Sequence, residues 1–241
     1  MTGFQPVSVT RLYRMIADQI TEKIHAGEFL PGARLPAERE LAKILQVSRP
    51  SVREALIALE IEGYVEVRVG TGVFVAPSRD GVQDQGKAKP PRLHAHNDVG
   101  PFELLQARLL VEPECAALAA KNASGSQIAA IEVVARTTGQ AQSPGQQDRA
   151  FHMAIAEGSG NVALVAAQTT LWDLRENSAM FSRLEQHFVT HKVWQVADRE
   201  HEEVFQAIKN RDSMGARRAL RTHLTGIIRR LREDFASDAA I

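Results

Sequence analysis

A chain of 241 residues with 44% apolar and 24% charged side chains can bury a sizeable core and is long enough for two domains. Its 29 Lys and Arg balance 29 Asp and Glu, so bulk charge argues for neither a nucleic-acid nor a membrane partner. No apolar run reaches the roughly 18 residues of a membrane span, the first residues lack a signal-peptide profile, and the lone Cys115 excludes an intrachain disulfide, so a cytoplasmic protein is expected.

In chain order, Leu12, Met15, Ile16, Ile20 and Ile24 recur at helical spacing, which predicts a helix from Val9 to Ala26 ended by Gly27. His25 falls at its end, and Pro31-Gly32 marks a turn. Ala37 to Leu45 reads as a short amphipathic helix, interrupted at Gln46-Val47-Ser48. Ser48 is a good N-cap and Pro50 is tolerated in a first turn, while Val52, Ala55, Leu56 and Leu59 give the next helix one apolar stripe with Arg49 and Arg53 off it. Gly63 stops that helix. Two β-branched runs, Tyr64 to Val69 and Val73 to Val75, then surround a Gly70-Thr71-Gly72 turn. Helix, turn, helix and hairpin make a winged helix-turn-helix.

Residues 1–80 hold as many acidic as basic side chains, but Arg39 with Lys43 and Arg49 with Arg53 each place two cations on one helix face. A solvated face is the ordinary use of such arginines, and spacing alone leaves both readings open. The motif as a whole goes further. Leu35-Pro36-Ala37-Glu38-Arg39-Glu40-Leu41, Val47-Ser48-Arg49-Pro50-Ser51-Val52-Arg53-Glu54-Ala55-Leu56 and Gly70-Thr71-Gly72-Val73-Phe74-Val75 closely resemble the DNA-binding domain of GntR-family transcription regulators. The resemblance implies a second helix in the major groove and a wing at the neighbouring minor groove of a double-stranded, pseudo-palindromic operator. Arg39, Arg49 and Arg53 are then the expected base or phosphate contacts, since a guanidinium can donate two hydrogen bonds to guanine. Ser48 and Ser51 are expected to hold phosphate. The wing departs from the family pattern at Val69, which leaves Arg68 and the Gly70 backbone as its contacts.

Residues 77–100, rich in Pro, Gly, Gln and Asp, read as a linker that also carries His94 and His96, taken as solvated. From residue 101 to 236 helices are expected throughout: Phe102 to Lys121, Ser126 to Arg136, Gln147 to Glu157, Asn161 to Met180, Lys192 to Asn210 and Met214 to Phe235, with a tail over 237–241. His187 and His191 flank a loop in this reading, and Cys115 is a small buried residue. The fold class is mainly α: the winged domain followed by an antiparallel all-helical bundle, the kind of core in which inward side chains build ligand and metal sites.

Asp148 and His152 are one turn apart, and His201 and His223 lie on the last two long helices. Imidazole and carboxylate suit a borderline divalent ion and would leave positions open for water or an acid, yet this spacing also arises by chance among polar or satisfied core histidines. Here too a resemblance adds to the residues. Arg108, Asp148, His152, Asn161, His201 and His223, in their local contexts, are similar to the ligand-binding domain of the FadR subgroup of the GntR family. It implies that the aspartate and three histidines hold a divalent metal, zinc first and manganese or nickel next, while Arg108 pairs with the carboxylate of a small effector. Ala55 to Arg68, Gly100 to Arg108 and the spacing of Trp194, Asp198 and His201 are similar to the subgroup's hexuronate-responsive regulators. A sugar acid would also need partners for its hydroxyls, for which Asn161 is the candidate. A homodimeric repressor is the leading expectation. A metallohydrolase and a metal sensor without organic effector are the alternatives.

Overall fold

The structure, a computed structural model, describes residues 11–77, 99–136 and 143–233. The chain divides into two compact units, one on each side of residue 98. Residues 78–98 of the expected linker, with His94 and His96, and the expected tail lie outside the described residues.

The first unit contains α1 (Leu12–His25), α2 (Glu38–Leu45), α3 (Arg49–Ile61), β1 (Val65–Arg68) and β2 (Gly72–Val75). Tyr13, Ile16, Ala17 and Ile20 of α1 are buried, as is the apolar stripe of α3. Burial of such a stripe, at about 25 cal/mol per Å² of apolar surface, holds three short helices that would not persist alone. Gln46 ends α2 in the left-handed conformation and Ser48 opens α3, its Oγ accepting from Ser51 N at 3.3 Å. The antiparallel strands pair Val65 with Val75 and Val67 with Val73, which puts all four valines on the buried face and Glu66 and Arg68 outside. Gly72 has φ +125°, a backbone conformation that side chains with a Cβ rarely adopt, which favours glycine at this position.

The second unit is a bundle of seven helices among the described residues: α4 (Pro101–Asn122), α5 (Gly125–Ala135), α6 (Pro144–Gly158), α7 (Val162–Glu176), α8 (Ala179–Phe188), α9 (His191–Lys209) and α10 (Ser213–Glu233). Its core joins Cys115, Ala116, Ala119 and Ala120 of α4 to Ile131, Phe151, Ile155, Val204, Phe205, Ile208 and Leu220. The alanines let α4 lie close to its neighbours. At Gly158 an added Cβ would be 3.3 Å from Ala119 Cβ, so α6 ends against the backbone of α4.

One expected helix ends early, and α8 follows over a stretch given no helix of its own. Instead of running from Asn161 to Met180, α7 stops at Glu176, where Asn177 Nδ2 donates back to Asp173 O at 2.8 Å and Ser178 Oγ accepts from Phe181 N at 3.1 Å to begin α8. Two short polar side chains satisfy the backbone groups that a continuous helix would have paired.

Candidate functional site

Three helices of the bundle bring four potential metal ligands together. Asp148 and His152 project from one face of α6, His201 from α9 and His223 from α10, all buried, with one ligand atom from each lying within 4.8 Å of the others. Asp148 Oδ1 is 3.4 Å from His201 Nε2 and 3.6 Å from His152 Nε2. Donors about 2.1 Å from a shared zinc would be separated by roughly this much along a tetrahedral edge. The rings crowd one another, with centroids of His201 and His223 4.7 Å apart and Phe151 stacked on His201 at 4.0 Å.

Behind these groups stand two carboxylates that local sequence reasoning does not single out. Glu112 Oε2 lies 2.6 Å from His152 Nδ1, and its other oxygen accepts from Arg108 Nε at 2.6 Å. Glu200 Oε2 accepts from His223 Nδ1 at 2.8 Å and is itself held by Arg230 at 2.7 and 3.0 Å. A carboxylate accepting from Nδ1, as Glu200 does at His223, keeps the proton there and leaves the Nε2 lone pair for an ion. Nε2 of His223 and both ring nitrogens of His152 are buried without a hydrogen-bond partner among the described residues, the approach of Glu112 to His152 being a charge contact. A buried acceptor of that kind is costly unless something binds it, so the donor set fits a divalent ion.

Electrostatics agree. Burial opposes ionisation of Asp148, yet the facing His152 and His201 outweigh it and hold the carboxyl well below its usual range. Burial likewise works against a charged His152, but Glu112 and Asp148 raise its pKa; the field at this point favours a cation. For His223 burial prevails over Glu200 and the pKa falls to about 4, which keeps the ring neutral as a ligand must be. Glu200, despite its burial, is drawn down to about 2 by His223 and Arg230.

Arg108 is only 1% exposed, lies with Cζ 4.2 Å over the Trp172 ring, and has Nη2 buried without a partner among the described residues. Trp172 in turn sits 5.3 Å from the His152 ring, so the guanidinium and the ligand cluster are neighbours. Arg175 also stacks on Trp172, at 4.7 Å, bonds Glu185, and brings Nη2 to 3.9 Å from Asp148 Oδ2. Asn161 does not join them. It is exposed, and its Oδ1 caps α7 by accepting from Ala163 N and Leu164 N at 3.0 and 3.3 Å, so in this conformation that oxygen serves the backbone. Glu112 stands four residues after Arg108 on one helix face, the one signal by which it could have been found.

In the winged unit Arg39 is exposed on α2 and Arg68 on β1, where it bonds Glu66 at 2.9 and 3.2 Å and lies 4.5 Å over Phe74. Ser48 and Ser51 share a 2.8 Å hydrogen bond at the start of α3, and Gly70 turns the wing tip with φ +80°. Arg49 is part-exposed with Nε on Glu38 Oε1 at 3.0 Å. Arg53 departs from expectation: it is 1% exposed and donates twice to Glu38 Oε2. In this conformation its guanidinium faces α2.

A winged helix-turn-helix followed by a helical bundle with this internal site defines a DNA-binding transcription regulator. Residues 12–75 match the family described as "Bacterial regulatory proteins, gntR family" and residues 103–226 match the FCD domain. The chain belongs to the GntR family, in the subgroup that carries an FCD domain. Among its relatives, the Uxu operon transcriptional regulator of Escherichia coli K12 is 37% identical over 94% of this chain and 89% of its own length. The Exu regulon transcriptional regulator of the same organism is 35% identical over 89% and 82%. The HTH-type transcriptional repressor NanR of Klebsiella aerogenes is 35% identical over 92% and 86%. These are regulators, and the hydrolase alternative falls with them. No helix among the described residues is long and apolar enough to cross a membrane.

Proposed function

We propose that this chain is a cytoplasmic, homodimeric repressor whose helical unit binds a divalent metal ion and a small sugar acid, a hexuronate or a close relative, and thereby alters its grip on operator DNA. The observation that carries this reading is the meeting of four buried ligand side chains with a buried arginine one aromatic ring away. Asp148, His152, His201 and His223 would hold zinc, or manganese or nickel. When bound, such an ion supplies a Lewis-acid centre that takes oxygen ligands. Arg108, planar and always charged, receives the acid's carboxylate. The part-satisfied guanidinium favours an organic acid over a metal sensor without effector. Homology to regulators of the Uxu and Exu systems, and to a repressor, supports both the sugar-acid and the repressor assignments.

DNA is met by Arg39, Arg49, Ser48 and Ser51 around the start of α3 and by Arg68 and Gly70 at the wing, with Arg53 holding the helix surface. One reading helix per chain suits a two-fold dimer on two half-sites. A mobility-shift titration of metal-loaded protein on its upstream duplex tests the whole. Galacturonate or glucuronate should change operator affinity for the wild type and leave Arg108→Ala unchanged; indifference of the wild type to every sugar acid overturns the effector assignment.

A further inference from the structure

The buried side of α7 is unusual for a bundle helix. Its buried residues are Gln168, Trp172 and Arg175, spaced four and three apart on one face, while Val162 at its start is 83% exposed. A helix that docked only to fill a core would bury aliphatic side chains there. Instead Gln168 Oε1 and Nε2, Trp172 Nε1 and Arg175 Nε are all buried with no hydrogen-bond partner among the described residues. Each such atom costs stability unless a bound molecule completes it. The same face adjoins the site already described, because Trp172 touches His152 and carries Arg108, and Arg175 reaches towards Asp148.

We propose that Gln168 and Trp172 are the specificity-determining residues of this site, reading hydroxyl groups on the acid whose carboxylate Arg108 binds. Their chemistry selects the ligand class. The indole N–H and the Arg175 Nε–H require acceptor oxygens, which, beyond the carboxylate held by Arg108, further hydroxyls supply. Gln168 Oε1 requires a donor, and an ionised carboxylate has none. A hydroxyl both donates and accepts, so one hydroxyl can satisfy the amide oxygen while another takes the amide N–H. Dicarboxylates without hydroxyl groups leave the Gln168 oxygen unpaired. A short 2-hydroxy acid has no hydroxyl beyond the one beside its carboxylate. The inference rests on the effector reading above and narrows it to polyhydroxy acids.

The test compares galacturonate with glycolate, which shares only the carboxylate and adjacent hydroxyl, by calorimetric titration of the metal-loaded full chain. Gln168→Leu, close in volume, should weaken galacturonate by roughly tenfold or more while glycolate binding stays within about twofold. Trp172→Phe, which keeps the ring beneath Arg108, should show the same split. Without any acid the thermal midpoint of Gln168→Leu should equal or exceed that of wild type, since an unpaired amide has been replaced by a hydrocarbon. A lower midpoint, or equal loss of both acids, means the amide has a structural partner and overturns the proposal. Retention of galacturonate in Gln168→Leu with its loss in Arg108→Ala overturns it too, and leaves the effector reading standing. If wild-type protein binds glycolate but no sugar acid, both fall.

Discussion

Glu38 holds Arg53 with two hydrogen bonds, of 3.0 and 2.8 Å, to one carboxylate oxygen, while its other oxygen accepts from Arg49 at 3.0 Å. One acid on α2 thus fixes two arginines of α3, and the packing of the two helices is tied to the placement of Arg49, the side chain proposed to meet DNA. Removing the acid takes two charge-assisted hydrogen bonds from a buried guanidinium. Glu38→Ala should cost about 3 kcal/mol in denaturant unfolding of the winged unit. It should weaken operator binding beyond what the lost stability explains; unchanged stability would show that Arg53 finds water or another partner.

Arg49→Ala removes the exposed member of the pair and leaves Arg53 with Glu38. Stability should shift by less than about 0.5 kcal/mol, whereas operator affinity should fall by about 1 to 3 kcal/mol. Equal affinities in a mobility-shift assay would remove Arg49 from the reading surface.

Stripping metal should loosen the bundle. An ion that binds only the folded state stabilises it by about 2.7 kcal/mol at a hundred times its dissociation constant. Chelator treatment should therefore lower the thermal midpoint of the wild type, and zinc, manganese or nickel should restore it with one ion per chain. His201→Ala should show neither response.

Glu112→Gln and Glu200→Gln keep shape and remove charge behind His152 and His223. Loss of such a supporting carboxylate typically costs 10- to 100-fold in metal affinity. Competition with a chromophoric chelator would show it, and unchanged affinity would mean that the imidazoles are oriented by packing alone.

Burial pushes the Cys115 thiol up to about 12, with the nearby Glu112 adding to the shift. At neutral pH it is protonated and shielded, so native protein should not react with a thiol reagent on the timescale of minutes, and denatured protein should give one equivalent.

Local periodicity carried most of the architecture. Helix spacing located α1, α3 and the long helices of the bundle, and β-branched runs located the wing. The failures share a cause: they depend on partners distant in sequence. Arg53 lies off the apolar stripe of α3 and reads as solvated until Glu38, fifteen positions earlier, neutralises it inside the unit. Glu112 meets His152 only across two helices. Gln168 and Trp172 look like a polar and an aromatic position of an ordinary amphipathic helix, because sequence does not show which face turns inward. At Asn161 and Ser178 the reverse happened. There the partners are backbone groups two or three residues away, a capping pattern present in the sequence itself.

Glu112 is held in common by Arg108 and His152. With an acid on Arg108, the arginine neutralises Glu112 less, the carboxylate draws more strongly on the His152 N–H, and the imidazole becomes a better electron donor to an ion. Thermodynamic reciprocity then requires that whatever factor the acid contributes to metal affinity, the metal returns to acid affinity. The dose–response to a sugar acid is in that sense a joint function of two concentrations, and a titration at one fixed metal level samples a single line across that surface.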